Sequence, residues 1–194
     1  MPSLALRIRC WSGALLADAS GSQLLEFAVA LPLLVVFVVG IFDFGGAFDL
    51  KQKLSNTARE GARFASALST YDLDAIGTPA SVTAIRDLVE SHLVAGRMND
   101  CGLATQAAVN GPIFTWTYTA AGGGCPAPLV LTIERSYSFQ TVLGVNTFNV
   151  ISTRVTLQYP YQWRFNRVIG LLVPGASYQG VSQIQTDAIV PNMD

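Results

Sequence analysis

Residues Ala19 to Ala67 read ASGSQLLEFAVALPLLVVFVVGIFDFGGAFDLKQKLSNTAREGARFASA. From Phe27 to Phe42 there is no charged side chain, and nearly every residue is Leu, Val, Ala, Ile or Phe. With Leu24 and Leu25 in front and Phe44 behind, the apolar character lasts about 20 residues, the length a helix needs to cross a ~30 Å hydrocarbon core. In hydrocarbon such a run is helical, because a helix satisfies its own backbone hydrogen bonds. Glu26, near the front, is the exception. An ionised carboxylate at membrane depth costs ~3 kcal/mol or more, so a charge kept there calls for a partner.

Beyond the apolar run the pattern changes. Leu50, Leu54, Ala58, Ala62 and Ala65 recur at spacings of three and four and form one apolar stripe. Lys51, Lys53, Arg59, Glu60 and Arg63 mostly fall on other faces. The small residues Ala58, Gly61, Ala62 and Ala65 allow a sheet or another helix to approach closely. These patterns predict one helix from residue 22 to about residue 68, roughly 70 Å long at 1.5 Å per residue. Pro32 removes one backbone bond and is the expected kink. Gly40, Gly45 and Gly46 are further weak points. Arg59, Glu60, Gly61 and Arg63 have two readings. One is a helix surface with a Glu60–Arg63 pair worth a few tenths of a kcal/mol; the other is a contact site for a partner subunit.

Gly21 precedes Glu26 by five positions, and the apolar run starts directly after Glu26. This resembles the processing site of type IV pilins, in which a membrane peptidase cuts after a glycine. Cutting between Gly21 and Ser22 leaves Glu26 as the fifth residue of the mature chain. The resemblance implies that Glu26, followed by Phe27, belongs to a subunit-assembly segment. There the glutamate neutralises the new N-terminal amine of a neighbouring subunit, each group being unfavourable alone in the bilayer. Glu26-Phe27, Leu31-Pro32, Gly40, Phe44-Gly45 and the block Ala58-Arg59-Glu60-Gly61-Ala62-Arg63 together resemble the TadE-like family, minor pilins or pseudopilins of the tight-adherence (Flp) pilus. The resemblance covers roughly the first third of the chain. It implies an α+β fold of type IV pilin plan, with a long N-terminal helix packed on a small antiparallel sheet. The implied partners are a prepilin peptidase, other Tad minor pilins and the major pilin, an inner-membrane assembly platform, and membrane lipid.

Composition sets bounds on the remainder. The chain has 194 residues, of which 51% are hydrophobic and only 13% charged. That suits one modest domain with a membrane anchor. The net charge of −1 gives no global field for nucleic acid. The single histidine, His92, excludes a two-histidine metal motif. It falls among the apolar positions of a predicted helix and reads as a partly buried packing residue. There is no GxSxG, and the carboxylates show no catalytic spacing. No catalytic residue, metal ligand or cofactor is expected. Cys10 lies upstream of the cleavage point, leaving Cys101 and Cys125 beyond the span. On the outer side of an inner membrane these two can form a disulfide closing a loop of ~25 residues, worth ~3 kcal/mol. The alternative is two buried thiols.

Residues 69 to 79 read as a loop. A second helix follows from Ala80 or Ser81 to Leu93, with Val82, Ile85, Leu88, Val89, His92 and Leu93 at helical spacing. Ser81 is its expected N-cap and Gly96 its stop. Residues 97 to 128 are rich in Gly, Ala, Asn and Pro. Gly122-Gly123-Gly124 lacks the pattern of a phosphate-binding loop and reads as a turn. Ile113 to Thr119 reads as a strand. Leu129 to Phe139 and Ile151 to Tyr159 alternate with period two, as half-buried antiparallel strands do. The link from Thr141 to Asn149 reads as a hairpin loop, and Pro160 as the end of the second strand. Trp163 to Val173 reads as a short helix on the sheet or as a surface touching lipid or a partner. A last strand is expected from Tyr178 to Val190.

The expected organisation is a cytoplasmic leader at 1–21, a membrane and amphipathic helix at 22–69, and an extracytoplasmic α+β domain at 70–194. Arg7 and Arg9 precede the span, whereas Asp43, Asp49, Lys51 and Lys53 after it cancel. This favours a cytoplasmic N-terminus in a single-pass protein of the bacterial inner membrane. The expected function is pilus assembly, at the base of the filament or within it. A single-pass anchored envelope binding module unrelated to pili is the other reading, and it leaves Gly21 and Glu26 without a role.

Overall fold

A computed structural model describes residues 19–163, 165 and 180–193. Residues 1–18, which hold most of the expected leader and Cys10, and most of the stretch from Trp163 to residue 179 lie outside the described residues. Helix α1 spans Ala19–Ser66 and runs without interruption through Pro32, Gly40, Gly45 and Gly46. Helix α2 spans Ala80–Ala95, and a single 3-10 turn follows at Leu103–Thr105. Five strands complete the fold: β1 Val109–Gly111, β2 Thr115–Ala120, β3 Leu129–Leu143, β4 Asn146–Gln162 and β5 Val181–Pro191. They form one antiparallel sheet in the order β1-β2-β3-β4-β5. The class is α+β: a long N-terminal apolar helix packed on an antiparallel meander, with five strands where about four were expected.

The second half of α1 supplies the core that an isolated sheet lacks. Leu54, Ala58, Ala62 and Ala65 are fully buried, and Leu50 packs at the margin. From α2 the buried apolar residues are Val82, Ile85, Val89 and Leu93. Opposite them lie Trp116 and Tyr118 of β2, Leu131 and Ile133 of β3, and Val155 and Leu157 of β4. Gly61 sits where the layers meet. A Cβ there would come 3.0 Å from Val89 Cγ2 of α2 and 3.6 Å from Val155 Cγ1 of β4. The small-residue block thus lets three elements converge.

The C-terminus of α1 is closed by a buried arginine. Arg135, on β3, is only 1% exposed. Its guanidinium donates to the carbonyls of Ala65, Leu68 and Ser69 and to Thr153 Oγ1. The N–H of Met193 donates to the Ser66 carbonyl from the other side. Last-turn carbonyls that lack helical partners are thereby satisfied, and the positive charge stands at the negative end of the helix dipole. Arg135 reaches them through an irregularity in the β3–β4 register between Glu134 and Tyr137.

Several sequence expectations are corrected. Ser81 is not the N-cap of α2; Pro79 holds that position and makes no side-chain cap. Asp72 accepts from both the N–H and the hydroxyl of Ser81, so the first-turn donor is satisfied from nine residues upstream. His92 is exposed rather than partly buried. Ile113 and Phe114 are not strand residues: they take left-handed φ values of 53° and 50° in the turn between β1 and β2. The Arg135 N–H and the Ser136 hydroxyl hold that turn through the Phe114 and Ile113 carbonyls. The link from Thr141 to Asn149 is almost all strand, with only Gly144 and Val145 unpaired between Leu143 and Asn146. Gly144 has φ 66° and opens a two-residue turn. Pro160 does not end β4, which continues to Gln162. The β3 register stops at Val130 opposite Gln158, so Pro160 lies where β4 pairs only with β5. Strand β5 begins at Val181; residues 178 and 179 lie outside the described residues.

Candidate functional site

The half of α1 that precedes the domain is bare. Leu24, Phe27, Leu33 and Phe42 are 72%, 63%, 63% and 77% exposed. The helix contains an 18-residue window of mean hydropathy 2.7, with none of it buried. By length and composition it is able to cross a membrane. A surface this apolar and this extended needs an apolar environment or other helices around it.

Within this surface the residues singled out from sequence are arranged along one helix. Gly21 and Ser22 lie in its first turns, and Glu26 stands one turn beyond Ser22. Glu26 and Phe27 are exposed, and no ion pair of Glu26 occurs among the described residues. Among the described residues, nothing lies within 4 Å of a Cβ placed on Gly21. Pro32 sits in the middle of the bare segment. The next acid along the helix, Asp43, is in a different setting. It is 4% exposed, and its carboxylate accepts the N–H of Phe165 at 2.5 Å. Its carbonyl accepts the Tyr161 hydroxyl at 2.9 Å. Asp43 is therefore where the sheet end first touches the helix, a role that its sequence position alone does not signal.

The AREGAR block divides by face. Ala58, Gly61 and Ala62 point into this chain's own core, whereas Arg59, Glu60 and Arg63 are exposed. Gly61 contacts α2 and β4 of its own domain and leaves no surface for another chain. A Glu60–Arg63 ion pair is not found among the described residues; the i, i+4 pair on this helix is Lys53–Asp49 at 2.9 Å.

Cys101 and Cys125 are joined by a disulfide, with Cα atoms 5.6 Å apart. Asn99 organises the loops on either side of it. Its Oδ1 accepts the Cys101 N–H at 2.9 Å, its Nδ2 donates to the Gly123 carbonyl at 2.6 Å, and its own N–H donates to Tyr159 Oη at 3.1 Å. The Gly122–Gly124 turn is part of this bridge, with Gly123 and Gly124 at φ 61° and 75°. Burial, the largest influence, pushes the Tyr159 phenol above its ordinary 10.0; the Asn99 bond acts the other way, and the charge of Asp100 adds to the rise. Tyr118 is raised chiefly by burial as well, with Arg86 opposing.

No group of three or more His, Cys, Asp and Glu side chains placed to hold a metal ion occurs among the described residues. The feature that dominates is thus the exposed apolar helix with Glu26 near its start. Neither curated proteins nor solved structures give a match to the chain. Residues 21–63, the bare helix together with its buried continuation, match the model of the TadE-like protein family.

Proposed function

We propose that this chain is a minor pilin or pseudopilin that takes part in assembling a Tad (Flp) pilus. The observation that carries the reading is the bare apolar half of α1 with its lone early acid, inside the TadE-like segment 21–63. The chain sits in the bacterial inner membrane by this helix, with the N-terminus in the cytoplasm and the domain outside. A prepilin peptidase cuts between Gly21 and Ser22. Glu26 then neutralises the N-terminal amine of an adjacent subunit, and the apolar helix packs among those of other pilins. The exposed Arg59, Glu60 and Arg63 face partner subunits. The protein acts as a structural component and does no catalysis.

The Glu26 role is tested by Glu26→Ala and Glu26→Gln in cells that build the pilus. Membrane insertion should persist, because an acid has been removed from an apolar segment. Sheared pili should fall about tenfold or more, which corresponds to losing at least ~1.4 kcal/mol of pairing. Undiminished piliation in both variants contradicts the assigned role.

A further inference from the structure

The bare helix and the domain meet at one level, and the residues there are ordered by polarity. Counting from Leu24, a helix rises about 30 Å by Asp43, which equals the thickness of a bilayer's hydrocarbon core. At this height the end of β4 reaches the helix. Trp163 makes an edge contact with Phe44, ring centroids 5.4 Å apart, and another with Tyr161 at 4.9 Å. Both polar tips are engaged within the protein: Trp163 Nε1–H donates to Ser182 Oγ at 2.7 Å, and the Tyr161 hydroxyl donates to the Asp43 carbonyl. Asp43 is also covered by the Phe165 N–H, so the one acid at this height stands shielded against the domain.

One to two turns further along come the cations. Lys51 lines a cleft of about 310 Å3 together with Phe44, Phe48 and Trp163. On the other side of α1 a cleft of about 470 Å3 passes from Val39 and Phe42 to Lys53 and Arg97. Lys53 is paired with Asp49, whereas Arg97 has no acid partner among the described residues. Apolar side chains, then an aromatic band, then basic residues is the order in which a protein passes from hydrocarbon through the headgroup layer to water.

We propose that Phe44, Tyr161 and Trp163 form a collar seated in the headgroup layer of a phospholipid bilayer, so that the membrane-proximal end of the sheet rests on the lipid surface. Arg97, Lys51 and Lys53 then lie at the level of the lipid phosphates. The collar fixes how far α1 can sink and sets the tilt of the domain against the membrane. This rests on α1 crossing the bilayer.

The test uses the full chain with Trp11→Phe and Trp116→Phe, which leaves Trp163 as the only tryptophan, reconstituted in vesicles of brominated phosphatidylcholine. Bromines placed near the headgroup should quench Trp163 at least twofold more strongly than bromines at the chain ends. Carbonate extraction of the same vesicles reports on insertion separately. If the protein resists extraction but Trp163 is unquenched, or is quenched best by the deepest bromines, the collar is refuted and the membrane helix stands. If carbonate releases the protein, both readings fail. Because Trp116 is buried, a Trp11→Phe single variant that retains native circular dichroism serves as the fallback, with Trp163→Phe on top to isolate the Trp163 signal; a headgroup-level signal that persists after Trp163→Phe also overturns the proposal.

Discussion

Arg135 on β3 donates to the carbonyl of Ala65 in the last turn of α1, tying the sheet to the end of the long helix across 70 residues of sequence. The same guanidinium reaches Leu68 and Ser69, so a single buried cation closes the helix and orders the chain leaving it. A hydrogen bond to a charged group is worth ~1.5–3 kcal/mol, and several carbonyls depend on this one. Arg135→Gln should therefore destabilise the domain by about 3 kcal/mol. Arg135→Lys should recover less than half of that, because an ammonium cannot fork across the same acceptors. Denaturant unfolding of the detergent-solubilised protein, followed by circular dichroism, checks both.

Gly61 marks the tightest approach of α1 to α2 and β4. Gly61→Leu should cost ~1–3 kcal/mol through overpacking. In a Val89→Ala background, where the methyl 3.0 Å from the added Cβ is gone, Gly61→Ala should instead stabilise by up to ~1 kcal/mol from helix propensity. A stabilising effect of Gly61→Leu would show that the three layers are not in close contact there.

Arg97 ends α2 in a left-handed conformation, φ 58°, one position after Gly96. The Met98 N–H bonds back to the Leu93 carbonyl and the Arg97 N–H to that of Val94, the arrangement in which glycine is usual. An L-residue in that region costs ~1–2 kcal/mol, so Arg97→Gly should raise stability by about 1 kcal/mol. A lower melting temperature would mean that the arginine side chain contributes more packing than its backbone costs.

Tyr118 and Tyr159 are both raised by burial, so the folded state favours their neutral forms. The stabilisation is fully present below the unfolded value of about 10 and is lost as pH rises through the higher folded values. Unfolding free energy should be flat towards pH ~10 and fall above it. Tyrosinate absorbance should show two phenols ionising at higher pH in the folded protein than in the unfolded chain. Tyr159→Phe should flatten part of that fall.

Much of this architecture is legible from residue patterns, for identifiable reasons. The stripe Leu50, Leu54, Ala58, Ala62 and Ala65 predicts its own burial because helical period and packing coincide. Leu129 to Ile133 and Val155 to Tyr159 do so with period two, because one face is buried. The pattern fails where burial stops dictating residue type. Strand β1 is exposed throughout and only three residues long. The β3–β4 hairpin continues past the sheet to Val145, 98% exposed, so alternation no longer marks it as strand. The Ser81 assignment misses because the capping carboxylate comes from Asp72, a contact no local motif encodes. Gly21 and Glu26 are conspicuous as residue types, while the contact of Asp43 with the sheet end is invisible until the chain is folded.

The central claim is that this helix is a pilin-type assembly segment. The most direct test is intact mass and N-terminal sequencing of the membrane-extracted protein, made with and without a co-expressed prepilin peptidase. Peptidase-dependent conversion to a chain beginning at Ser22 is the expected result. A chain that stays uncut, or one whose first residue is the same whether or not the peptidase is present, would contradict it and leave Glu26 without a partner amine.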